Sequence, residues 1–316
     1  MAGCFTLSER EQELIAMLLE DRCGFSRARA KAVSAIFESR LDFASATRDS
    51  LSAVKLHSGR QAIRADEISA ILKFNSNGGM DPSMPLPEAM ISAITGRFIN
   101  RQIDMLKSMK LSSLNPNPFI IRSLNLATPS DVVRLNVYAA ATRSIVTSFG
   151  SAVENMLVAT SDSVEKVRAG WDLVKVKDGI RHWIQVKSGP NDMDKDQVNT
   201  WRVEIERKEK ENEKGYIGVT YGKRENATVT FGLLKSYLPN YELRTLIGRE
   251  LWEFLGDDPQ FPSKVLDVLR REAIRALSSK NIIVELDDTI ARLTSDFTST
   301  YGDGEAGVGK YIESIF

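Results

Sequence analysis

The stretch "WDLVKVKDGIRHWIQVKSGP", residues 171–190, sets three side chains close together whose types suit phosphodiester chemistry. Asp172 opens one β-like run, Asp178-Gly179 supplies a turn, and a second β-like run ends in Gln185-Val186-Lys187. Side chains alternate along a strand, so Gln185 and Lys187 share a face, and a hairpin brings that face beside Asp172. Hydrolysis of a phosphodiester requires an activated water, neutralised charge in the transition state and a stabilised leaving oxygen. A carboxylate-held Mg²⁺ acidifies water and neutralises charge, and a lysine holds the water or the phosphate. Mg²⁺ is a hard cation that takes oxygen ligands, typically a carboxylate or two with water and substrate phosphate. Asp172, the Gln185 amide oxygen, the Val186 carbonyl and Glu154 on the preceding helix make such a set. The same spacing also fits an ordinary solvated hairpin, so the pattern by itself leaves both readings open.

The segment after the lysine, "KSGPNDMDKDQVNTWR", adds Ser188, Asn191, Lys195, Gln197, Asn199 and Arg202. All can donate to phosphates or base edges and are candidate DNA-binding residues. The alternative is a surface helix capped by Asn191 or Asp192, and a helix N-terminus can serve both purposes. "ERKEKENEK", residues 206–214, mixes both signs of charge and reads as a solvated helix face. "HSGRQAIR", residues 57–64, is basic and fits either a plain surface loop or an accessory DNA contact. His182 reads as a packing residue rather than a general base, and Trp183, Trp201 and Trp252 as core.

The elements that must hold these residues can be read coarsely. Amphipathic helices fill residues 6–74, the first introduced by the capping pattern Ser8-x-x-Glu11. A Gly/Pro/Asn-rich segment at 75–88 is the best linker, and "NPNPF" at 115–119 is a second breaker. Residues 129–160 read as a long helix with a break near Gly150. Two β-like runs follow at 171–177 and 180–187, then a charged helix, then two further strands, "GYIGVTYG" and "ATVTFGLL", and a helical tail from about 241. This order predicts an α/β or α+β catalytic module with a helical N-terminal addition.

Composition narrows the classes. Lys+Arg and Asp+Glu are both 42 in 316 residues, which argues against a polybasic binder but allows a basic cleft. Two cysteines, Cys4 and Cys23, exclude a disulfide framework and point to a reducing compartment. Two histidines, His57 and His182, leave little room for zinc. No apolar run is long enough to span a membrane, and "MAGCFTLSEREQ" does not read as a signal peptide, so a cytoplasmic protein of a bacterium or archaeon is expected.

The hairpin resembles the core of the PD-(D/E)xK nuclease superfamily, with Gln185 in the usual acidic slot. The resemblance extends along "NPNPFIIRSLNLATPSDVVRLNVYAAATRSIVTSFGSAVENML", "YIGVTYG", "LIGRELWEFLGDDP" and "YGDGEAGVGKYIESI", in that order. Together these are similar to type II restriction endonucleases that cut degenerate GG-N-CC sites. The resemblance covers roughly residues 115–316. It implies a restriction-endonuclease-like core with a mixed central sheet flanked by helices. It implies Mg²⁺-dependent, sequence-specific cleavage of double-stranded DNA to 5′-phosphates by a homodimer, genetically partnered with a DNA methyltransferase. Carried onto this chain, Asp172 is the metal-binding aspartate and Lys187 the catalytic lysine; the departure is Gln185, a neutral amide and so a poorer Mg²⁺ ligand than a carboxylate. Residues 113–316 would form the catalytic domain, and residues 1–112 a helical region for dimerisation or accessory DNA contact. Rival expectations are a structure-specific repair or recombination nuclease of the same superfamily, and a DNA-binding module that has lost activity with its second acidic residue.

Overall fold

The computed structural model describes residues 9–55, 61–167, 170–190, 193–225, 228–277 and 281–315. Ser8, Cys4, His57 to Arg60, Asn191 and Asp192, named above, lie outside these residues. Eight helices precede the first strand: α1 (Glu9–Cys23), α2 (Arg27–Ser34), α3 (Arg40–Ala44), α4 (Arg48–Ala53), α5 (Ala65–Ser76), α6 (Leu86–Ser108), α7 (Pro118–Ser123) and α8 (Pro129–Ala159). The remaining elements are β1 (Val164–Lys166), β2 (Leu173–Lys177), β3 (Ile180–Lys187), α9 (Lys195–Lys210), β4 (Lys214–Val219), α10 (Val229–Tyr237), β5 (Thr245–Ile247), α11 (Arg249–Gly256), α12 (Phe261–Leu277), α13 (Ile282–Tyr301) and α14 (Gly304–Glu313). The chain forms two compact units, one from residues up to 97 with 153–270, the other from 98–152 with 271 onward.

The first unit holds a five-stranded sheet in the order β1-β2-β3-β4-β5. β1, β2 and β3 run antiparallel, whereas β3-β4 and β4-β5 are parallel, so the sheet is mixed and the expected α/β architecture with helical N-terminal region is present. Lys177 pairs with Ile180 across the two-residue turn Asp178-Gly179, whose φ values are 51° and 75°. Two left-handed residues give the turn that matches strand twist, which is why Asp-Gly closes this hairpin. In the parallel pair, Gln185 lies beside Ile217 and Lys187 beside Val219. Ile217 and Val219 pack with Val198 and Ile205 of α9, so α9 covers the face that carries Gln185 and Lys187. On the opposite face Leu251 of α11 lies against the sheet, where a Cβ on Gly218 would stand 3.0 Å from its Cδ1.

Lys175, in the middle of β2, is 1% exposed. Its ammonium donates to the carbonyls of Phe254 (2.7 Å) and Leu255 (2.9 Å) and to Asp257 (2.5 Å) at the C-terminal end of α11. Those carbonyls are among the last four of the helix, which have no partner within it. A cation there also complements the helix dipole. In the early helices Glu67 is also buried and accepts from Arg29 (2.8 and 2.9 Å) and Arg64 (2.7 Å). Arg10 of α1 donates to the Ala159 carbonyl at 2.8 Å, satisfying the end of α8, and pairs with Asp162.

The second unit has its own core. Val132, Val133, Val137 and Ala141 of α8 pack with Leu286, Ile290, Leu293 and Phe297 of α13 and with Val308 and Tyr311 of α14.

Four expectations are corrected. Residues 229–237 are helix, not strand: the Thr228 hydroxyl caps it by accepting from the Phe231 amide, and Phe231 and Leu234 bury one side at helical spacing. The sheet position beside β4 goes instead to β5, which at three residues is too short to show alternation. α8 runs unbroken through Gly150. The cap of α9 is Asp194, whose carboxylate accepts from the Gln197 amide at 2.8 Å, not Asn191 or Asp192. Finally, Trp252 is buried, but Trp183 and Trp201 are only partly buried against the core.

Candidate active site

Asp172 immediately precedes β2, and its amide donates to the Ile184 carbonyl. The β2-β3 register begins at Leu173, which pairs with Ile184, so Asp172 sits just before the ladder, at the end of the hairpin where β3 runs on through Gln185 to Lys187. Within a strand, successive residues turn their backbone groups to alternate neighbours. Ile184 bonds toward the β2 side, while the Lys187 carbonyl accepts from Thr220 beyond β4. Val186 therefore faces the β2 side, and its amide donates to Asp172 Oδ2 at 2.7 Å. The Val186 carbonyl points the same way.

Burial raises the Asp172 pKa, the Val186 amide opposes the rise, the charge of Glu154 adds to it, and Lys187 and Lys166 oppose it. Glu154, on the last turns of α8, is thus within electrostatic reach of Asp172, and it accepts from Lys166 of β1 at 2.9 Å. Gln185 Oε1 is shielded from solvent and has no hydrogen-bond partner among the described residues. An unpaired buried amide oxygen is costly unless something outside the chain meets it. Lys187 Nζ donates to Gln197 Oε1 at 3.2 Å.

The donor set is entirely oxygen: two carboxylates, an orphaned amide oxygen and a backbone carbonyl. It fits a hard divalent cation such as Mg²⁺ and not a soft one. Among the described residues no three His, Cys, Asp or Glu side chains come together, so a cation here would rest on this mixed set rather than on a carboxylate cluster.

The flanking candidates divide. Lys195, Asn199 and Arg202 lie along one side of the buried stripe of α9, with Lys195 over the Tyr237 ring at 4.9 Å. Gln197 lies on the other side, against Lys187. The Ser188 carbonyl accepts from Thr220 at 2.7 Å, and Arg202 Nε is shielded without a partner among the described residues. His182 is buried, stacked on Tyr216 and against Phe254, and burial lowers its pKa. Charges in the 206–214 segment pair along the helix, Arg207 with Glu204 and Glu211.

Two residues near the site escaped sequence reasoning. Lys166 sits on a three-residue strand with no period to read. Tyr221, just past β4, is 60% exposed, and its hydroxyl would lie 2.6 Å from a Cβ on Gly189. Only the absence of a side chain at 189 lets the ring rest against the loop that follows Lys187. A register linking 187 to 219 is needed to see this contact, and no local motif encodes it.

The mixed sheet, with an acidic residue and a lysine on neighbouring strand ends, has the form of a nuclease core, and the comparison with known families agrees. The family model described as type II restriction endonuclease EcoO109I matches residues 88–276, well over half of the chain. The chain belongs to this family of type II restriction endonucleases. No curated protein matches it. Family membership makes it a nuclease, a hydrolase that acts on double-stranded DNA, in a family that generally depends on divalent metal. No helix among the described residues is long and apolar enough to cross a membrane.

Proposed function

We propose that this chain is a Mg²⁺-dependent, site-specific endonuclease that cuts both strands of a nearly palindromic duplex of the GG-N-CC type and leaves 5′-phosphates. The observation that carries the reading is the Asp172 carboxylate bonded to the Val186 amide, on the strand that also carries the unpartnered Gln185 oxygen and ends in Lys187. Asp172, Glu154, Gln185 and the Val186 carbonyl would hold the cation. When bound, Mg²⁺ supplies a positive charge that neutralises the phosphate and acidifies water. Asp172, kept in register by the Val186 amide, presents its second oxygen to the site. Lys187 holds the attacking water or a phosphate oxygen and stabilises the charge that develops there. Glu154 supplies the second negative charge that Gln185 lacks, and must exchange its bond to Lys166 to do so. Lys195, Asn199, Arg202, Ser188 and Asn191 are assigned to the duplex.

A short symmetric site cut on both strands calls for two active centres, so the protein acts as a homodimer, protected in its host by a cognate methyltransferase. Residues 113–316 are assigned to cleavage and residues 1–112 to assembly or DNA grip. The hold of Arg10 on the end of α8 gives the early helices a further task, steadying the helix that carries Glu154.

Digestion of plasmid DNA tests the reading. Discrete fragments in the presence of Mg²⁺ are expected, and Lys187→Ala should lower the rate on the order of 10²-fold while leaving binding intact. Cleavage that follows DNA structure instead of sequence would identify a repair-type nuclease. Binding without any Mg²⁺-dependent cutting would favour the second reading, a DNA-binding module. The neutral Gln185 and the engagement of Glu154 by Lys166 are the observations that support it.

A further inference from the structure

We propose that Gln197 is a positioning residue for Lys187 and not a contact to DNA. The inference rests on the assignment of Lys187 to catalysis and deepens it. A lysine ammonium at the end of four rotatable bonds samples many positions, so holding it beside a reacting phosphate has an entropic cost that a fixed acceptor can offset. Gln197 Oε1 supplies that acceptor at 3.2 Å.

The backbone that carries the acceptor is held in place. The Gln197 main-chain N–H donates to the Asp194 carboxylate at 2.8 Å, which caps the first turn of α9. One residue further on, fully buried Val198 packs with Ile217 and Val219, beside the strand that ends in Lys187. Asp194, Gln197 and Lys187 thus form a relay from a helix cap to a strand end. A side-chain amide oxygen can only accept, and here its partner is the lysine. On the helix surface Gln197 stands across the buried stripe from Lys195, Asn199 and Arg202, so it does not share their face.

Two substitutions separate positioning from DNA contact. Gln197→Met keeps the length and removes the acceptor. Gln197→Glu keeps an acceptor oxygen and adds a negative charge. If Gln197 positions Lys187, Gln197→Met lowers the single-turnover rate on plasmid DNA about tenfold, the size of one hydrogen bond to a charged donor. KM and affinity for a labelled duplex spanning a mapped cut, measured with Ca²⁺ in place of Mg²⁺, stay unchanged, and Gln197→Glu retains most of the rate. A wild-type rate for Gln197→Met overturns the inference. So does a loss of affinity that is greater in Gln197→Glu than in Gln197→Met, because repulsion from phosphate marks a DNA contact. Thermal melts of both variants that match the wild type confirm that the rates report on the site; a melting loss that parallels the rate loss overturns positioning in favour of a folding role. Lys187→Ala distinguishes the two levels. Full cleavage by Lys187→Ala overturns the catalytic assignment and this inference with it, whereas an inactive Lys187→Ala beside a fully active Gln197→Met overturns this inference alone.

Discussion

Replacing Lys175 by methionine removes a buried ammonium and leaves its three acceptors behind. Two are carbonyls of Phe254 and Leu255 at the end of α11, and the third is Asp257. Hydrogen bonds from a charged donor contribute about 1.5–3 kcal/mol each, set against several kcal/mol for taking the ammonium out of water. Burial lowers the Lys175 pKa, with the Asp257 carboxylate opposing the shift, so the desolvation cost is real in this site. Asp257 is 47% exposed, keeps its pair with Lys177 and regains water cheaply once Lys175 is gone. The helix-end carbonyls cannot, and a buried unsatisfied acceptor costs about 1–3 kcal/mol. The net loss expected for Lys175→Met is therefore about 2–4 kcal/mol. Urea unfolding followed by circular dichroism measures it, with the midpoint moving and the slope unchanged. Replacing whole buried ion pairs with apolar residues sometimes stabilises a protein, and that is the outcome to watch for. A loss below about 1 kcal/mol, or a gain, would refute the idea that Lys175 is needed as the cap of α11. A second substitution, Asp257→Asn, should add little on top of Lys175→Met, since its bond to Lys175 is already broken and its remaining pair with Lys177 is solvent-exposed.

Asp172→Asn should abolish Mg²⁺-supported cleavage and at the same time stabilise the free protein near neutral pH. Its folded-state pKa is raised, so the protonated form favours folding and that contribution is lost as pH rises through the raised value; melts at pH 7 and pH 3 should show the gain at the higher pH only. Gln185→Glu should tighten Mg²⁺ binding by filling the orphaned position with a charged oxygen, and Glu154→Gln should weaken it; equal affinities in calorimetric titrations of Mg²⁺ with DNA present would place the cation elsewhere. Glu67, which Arg29 and Arg64 hold down to about 2 from 4.5, contributes stability present above pH 4.5 and lost as pH falls toward 2. Glu67→Gln should cost on the order of 2–3 kcal/mol at pH 7 and nothing near pH 2, as read from urea midpoints.

The hairpin was legible because its parts are local. Asp178-Gly179 dictates the turn, alternation puts Gln185 and Lys187 on one face, and a two-residue loop fixes the register that pairs Leu173 with Ile184 and so leaves Asp172 at the same end of the hairpin as Lys187. The long helices α6 and α8 were legible from their length and breakers, although α8 has no break at Gly150, and the tail from about 241 was legible only as helical, not as separate helices. Short elements were not: β1 and β5 have three residues each, and β-branched Thr228, Val229 and Thr230 suggested a strand where a cap and the spacing of Phe231 and Leu234 make a helix. What the sequence hides most completely is contact between distant segments. Lys175 meets Asp257 across 82 residues, and no periodicity announces that a lysine in a β-run will be 1% exposed. Lys166 against Glu154 and Tyr221 against Gly189 depend in the same way on packing that local patterns do not encode.

The Asp172 carboxylate accepts a hydrogen bond from the Val186 amide at the point where the β2-β3 ladder ends. That amide is in effect a built-in spectroscopic probe. Its chemical shift and its rate of exchange with deuterium follow the charge and position of Asp172 Oδ2, with no label attached to the side chain. Protonation of the aspartate, or withdrawal of its oxygen toward a cation, weakens the bond and shifts the Val186 resonance while leaving Ile184, whose backbone pairs within the ladder, almost still. A nitrogen-15 titration with Mg²⁺ would therefore read occupancy of the site in the resting protein, before any DNA is bound and independently of whether a strand is ever cut.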